Sequence, residues 1–122
     1  MSLLYEDNYQ DKTDLSGTDH IFSNLFKNNT NVLNAENLIL PATTLGNWCY
    51  SSMFNGAINL SGKAPELPAE TLTSNCYNSM FRYSNIEEAS ELPATTLATT
   101  CYTYMYDSCP NLKKGPTVLP AK

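Results

Sequence analysis

The residues of this 122-residue chain with the sharpest chemistry are four cysteines, one histidine and one tryptophan. Cys49, Cys76 and Cys101 recur at near-constant intervals. Metal ligation, disulfide formation and plain burial are the roles open to a thiol so placed. Zinc asks for a CxxC-like pair, and the sequence has none. Side chains in one column of a repeat point in parallel, so the expectation is a ladder of small buried apolar groups rather than a bridge. Cys109 lies off that column, in a loop register shared with Ala57 and Ser84, and a bond to Cys101 stays an open alternative. His20 has no aligned partner for a nucleophile and base relay. Glu87-Glu88 and Glu6-Asp7 are neighbours in sequence, which suits solvated surface better than a general acid and base. We therefore expect no catalytic residues, no metal and no cofactor.

Aromatic side chains offer a different chemistry. Trp48 stands where equivalent positions carry Asn75 and Thr100. Tyr104 replaces Ser52 and Ser79, and Tyr83 replaces Gly56 and Ser108. A column that accepts Asn or Ser faces water, so these aromatics are expected to be partly exposed. Trp48, Tyr83 and Tyr104 are thus the candidate ligand-binding residues, on a platform suited to a sugar face or a protein hot spot. The plainer alternative is that each covers the edge of a thin core.

What must position them is a repeat of 25 to 27 residues: residues 40–66, 67–91 and 92–118, with a degenerate capping copy at 15–39. A further copy starts at Leu119, and residues 1–14 are expected to form an arm or a cap. Each clear copy opens on Leu-Pro-Ala and carries Cys-Tyr, then Met with an aromatic, at i, i+1, i+4 and i+5. The first copy keeps Ile21, Phe22, Leu25 and Phe26 at those four places. That spacing predicts one or two helical turns with two apolar pairs on one side. An Asn-aliphatic pair follows (Asn31-Val32, Asn59-Leu60, Asn85-Ile86, Asn111-Leu112), whose amide is suited to satisfying the backbone of its own and the adjoining coil. A short extended stretch leads to the next Leu-Pro, where proline bars a helix interior. A unit of this length cannot bury its apolar face until a neighbour stacks on it.

At these residues, LPAxTLxxxCYxxMF followed by a loop and Asn-Leu, the chain resembles the leucine-rich repeats of BspA-like bacterial surface proteins over residues 20–122. The resemblance implies an α/β fold: a right-handed leucine-rich-repeat solenoid of about four coils, each with one short strand and one short helix. It also implies adhesion or partner binding, and no reaction.

Composition narrows the partners. A formal charge of -5 and only seven basic residues argue against nucleic acid, which needs clustered Lys and Arg. Without a run of eighteen apolar residues, no membrane insertion is expected. The acidic opening MSLLYEDNYQDK lacks the basic and apolar regions of an export signal. The expected location is extracellular or cell-surface for a fragment of a longer protein, and virion or cytoplasmic otherwise. Two functions fit. One is a recognition module binding a protein or glycan. The other is a structural or assembly protein, such as a phage virion component, forming a homo-oligomer or contacting neighbouring subunits through an open coil end and the N-terminal arm.

Overall fold

In a computed structural model, residues 14–116 are described; the expected arm at 1–14, except Asp14, and the new repeat at 119 lie outside them. The copies stack in register, one coil upon the next. The centre of each coil is a run of four-residue turns at residues 20–28, 48–56, 75–83 and 100–108. The backbone is left-handed at every fourth residue: His20, Asn24 and Asn28; Trp48, Ser52 and Gly56; Asn75, Ser79 and Tyr83; Thr100, Tyr104 and Ser108.

Amides in this run divide their work. In the second coil, the N–H groups of Ser51, Met53, Asn55 and Ala57 each donate to the carbonyl three residues back, closing successive turns. The intervening N–H groups of Trp48, Tyr50, Ser52, Phe54 and Gly56 donate to Ser74, Cys76, Asn78, Met80 and Arg82 of the next coil. The first coil bonds the second in the same way, and the third the fourth. Serine hydroxyls reinforce the ladder, with Ser23 donating to the Ser51 carbonyl and Ser51 to that of Asn78. Backbone groups that a buried turn would orphan are thereby paired.

This arrangement corrects the expected fold. There is no helix among the described residues, and strand is reduced to isolated bridges, so the chain is not an α/β solenoid with a strand and a helix per coil. The regular helix and strand pattern of a leucine-rich repeat is absent too. Spacing supplies the physical reason. Equivalent rings in neighbouring coils lie 5.3 to 6.0 Å apart. Packed helices need about 8–10 Å between axes. A helix would also spend every amide inside its own coil, whereas here every second amide holds the stack together.

Five parallel bridges tie the coils elsewhere: Asp14 to Thr44, Thr71 to Thr96, Asn34 to Ser61, Lys63 to Glu88 and Glu88 to Lys114. The bridges at Thr44 and at Thr71 and Thr96 do not lengthen into strands because Pro41, Pro68 and Pro93 lack a donor just before those positions, and the turns begin just after. The second coil meets the first at Ser61 but the third at Lys63, and the left-handed Gly62 between them absorbs the extra length.

The core is the inward face of the turns. Cys49, Tyr50, Met53, Phe54, Cys76, Tyr77, Met80 and Phe81 are all at most 2% exposed. Their rings form two continuous stacks, Phe22–Tyr50–Tyr77–Tyr102 and Phe26–Phe54–Phe81–Tyr106. The asparagine column works across coils, with Asn59 donating to the Thr30 carbonyl at 3.0 Å and Asn111 to the Asn85 amide oxygen at 2.5 Å. Gly46 breaks its own column, which otherwise holds Thr73 and Ala98. A Cβ there would stand 2.3 Å from the Thr18 carbonyl oxygen and 2.7 Å from that of Leu15. The backbone of the first coil sits directly upon it.

Candidate functional site

Because two residues of every four point inward, the next two face out, and the outward face is where the sequence varies. All four cysteines are free thiols, with no bond between Cys101 and Cys109. Burial pushes the Cys49 thiol well up and that of Cys76 to about 12, with the other cysteines of the ladder adding to it. These thiols stay protonated and inert toward electrophiles at neutral pH. Cys109 is not in a loop off the repeat. It continues the inward column of Ala57 and Ser84, 3.8 Å from the Ser84 hydroxyl and 3.0 Å from the Phe81 carbonyl, to which it donates. Among the described residues no cluster of three or more His, Cys, Asp or Glu could hold a metal, and no helix is long and apolar enough to cross a membrane. Glu87 and Glu88 face Lys113 and Lys114 on the next coil at 3.6 and 4.0 Å, as exposed pairs of little energetic weight. Glu6-Asp7 lies outside the described residues.

Trp48, Tyr83 and Tyr104 are 37%, 48% and 57% exposed, and each sits at a left-handed position. The Asn and Gly in their columns thus have a second cause besides water, since these two residues take this backbone most readily. A bulky side chain there is an outlier costing of order 1–3 kcal/mol, and such residues concentrate at functional sites. Three strained positions carry exposed aromatic rings, and buried packing does not account for them.

The structure divides the three candidates. Tyr83 and Tyr104 share one patch, organised by a residue the sequence reading passed over. The Arg82 guanidinium carbon lies over both rings, 4.8 Å from the Tyr83 centroid and 4.6 Å from that of Tyr104. Its Nε donates to Asp107 Oδ2 at 2.9 Å. Arg82 is the only arginine in the chain. The signal that could have revealed this pair is positional: Asn55, Arg82 and Asp107 form one column, so opposite charges face each other across one coil step. Trp48 belongs to a separate contact, stacked on His20 at 5.5 Å with the planes 18° apart. His20, read as isolated, occupies the same left-handed column as Trp48.

No protein family, no curated protein and no solved structure matches this chain. The geometry alone carries the functional argument.

Proposed function

We propose that this protein is a non-catalytic recognition module that binds a protein or glycan through the outward face of its turn ladder. The observation that carries this reading is the placement of Trp48, Tyr83 and Tyr104 as exposed rings on left-handed backbone, where the other described coils carry His, Asn, Ser, Thr or Gly. A rigid ladder holds those rings without further ordering on binding, which lowers the entropic cost of association. Tyr, Trp and Arg are also the residue types that dominate binding hot spots.

The test is a binding screen of the whole chain against panels of glycans and of extracellular proteins, run beside the triple variant Trp48→Asn, Tyr83→Gly, Tyr104→Ser. Each replacement is the residue another coil carries at that place. A ligand bound by the parent and weakened at least tenfold in the variant, with the melting temperature held, supports the reading. Equal binding by both would refute it.

A further inference from the structure

We infer that the Arg82 patch takes a sugar bearing a carboxylate, a uronic or sialic acid type of residue, with the guanidinium holding the carboxylate and a tyrosine ring lying under the sugar. This rests on the recognition reading above and names the ligand of one of its two aromatic sites.

The guanidinium is fixed in place. Asp107 engages its Nε, and two tyrosine rings lie within 5 Å of its carbon. Among the described residues no group engages its Nη atoms, and the side chain is 30% exposed. Arginine carries five N–H donors in a rigid fork whose geometry matches a carboxylate bidentately. With Nε spent on Asp107, the Nη pair remains for an incoming carboxylate, a charge-assisted contact stronger than a neutral one.

The flanking groups narrow the class. Tyr83 and Tyr104 are about half exposed, so ring surface beyond the arginine is open to a flat, partly apolar partner. Asp107 Oδ2 receives Nε and the Ser108 hydroxyl, and its Oδ1 has no partner among the described residues. A free carboxylate acceptor beside an aromatic face suits a ligand rich in hydroxyl donors. A bare carboxylate would use only the arginine, and a neutral sugar only the rings and Asp107. An acidic sugar uses all of them. The two tyrosines hold a disfavoured backbone on either side of the single arginine, at φ 60° and 55°. Glycine or serine would fill both places with less strain.

The probes are methyl glucuronide, methyl glucoside and acetate, titrated separately into the whole chain at constant ionic strength and followed by NMR at the Arg82 Nε–H and the tyrosine rings. The glucuronide should shift both sets of signals and bind at least fivefold more tightly than the glucoside. Acetate should leave the tyrosine rings unmoved. Arg82→Gln should lose at least fivefold in glucuronide affinity, and Arg82→Lys should lose most of that. Asp107→Asn removes the competing carboxylate while keeping an acceptor oxygen, and should tighten glucuronide binding. Thermal melts of each variant establish that it is folded. Equal affinity for glucuronide and glucoside, with sensitivity to Tyr104→Ser, would overturn the carboxylate assignment and leave the recognition reading standing. Equal ring shifts with acetate would overturn the sugar assignment. Failure of the parent chain to bind the glucuronide would overturn the inference altogether, leaving the recognition reading to the protein and glycan panels.

Discussion

The inward and outward faces of the turn ladder share one backbone and one four-residue period, yet they follow opposite rules. Inward columns are nearly uniform, with Cys, Tyr, Met and an aromatic repeated coil after coil and rings stacked about 5 to 6 Å apart. Outward columns are small and polar by default and broken at isolated places by Trp48, Tyr83, Tyr104 and Arg82. Uniformity inside follows from packing, because a ring can stack only on a ring of like size in the coil above. Irregularity outside has no such origin. The breaks meet across coils, Trp48 with His20 and Arg82 with Tyr83 and Tyr104, and the left-handed backbone beneath three of them makes each one costly.

The comparison is broken most directly from the inside. Phe54, fully buried between Phe26 and Phe81, should cost about 3–5 kcal/mol when changed to Ala, read by urea unfolding. A loss below 1 kcal/mol would mean that the ring stack does not organise the core. Overpacking the thiol column with Cys76→Phe should cost about 1–3 kcal/mol. Gly46→Ala should destabilise by a similar amount, about 1–3 kcal/mol, since its Cβ meets backbone that cannot move aside.

Alkali probes the same face. Cys76 ionises near 9.0 when unfolded and near 12 in the folded stack, and its tyrosine neighbours are raised as well. Stability from these groups is complete below pH 9 and is lost as pH rises toward 12, because the unfolded chain gives up its protons first. The melting temperature should therefore fall steadily over that window, and a flat profile would place the thiols in water. Tyr50 sharpens the picture from the other side. Its buried hydroxyl faces the Ala42 backbone but makes no well-formed hydrogen bond among the described residues, so Tyr50→Phe should leave stability unchanged or raise it by about 1 kcal/mol. The smallest effects belong outside: in Trp48→Asn and Tyr104→Ser the relief of backbone strain offsets the lost contact with His20 or Arg82, so each should move stability by no more than about 0.5 kcal/mol net while weakening ligand binding.

The pairing of apolar residues at i, i+1, i+4 and i+5 was legible in the sequence and identifies the core correctly. It does not distinguish a helix from a run of four-residue turns, because the two differ by only 0.4 residue per turn. Even i+8, where Ala57, Ser84 and Cys109 line up inward, lies on the same apolar side of a helix, so the spacing of apolar residues within one coil could not separate the two. The usable clue was the recurrence of Asn and Gly at every fourth place, which marks left-handed backbone as much as exposure. At the outward face, column breaks pointed to Trp48, Tyr83 and Tyr104. Arg82 and Asp107 were missed because each is unremarkable along the chain and meaningful only against the coil beside it.

Twenty-seven residues separate Trp48 from Asn75 and twenty-five separate Asn75 from Thr100, yet the ring stacks keep their spacing through both steps. The difference in length is taken up near Gly62, away from the turns. Unequal recombination between copies of such a gene segment could add or remove a whole coil, even with imprecise junctions, without dislocating the ladder. Outward residues would then be shuffled among coils as units, giving a lineage a means of changing what the surface displays while inheriting the same interior.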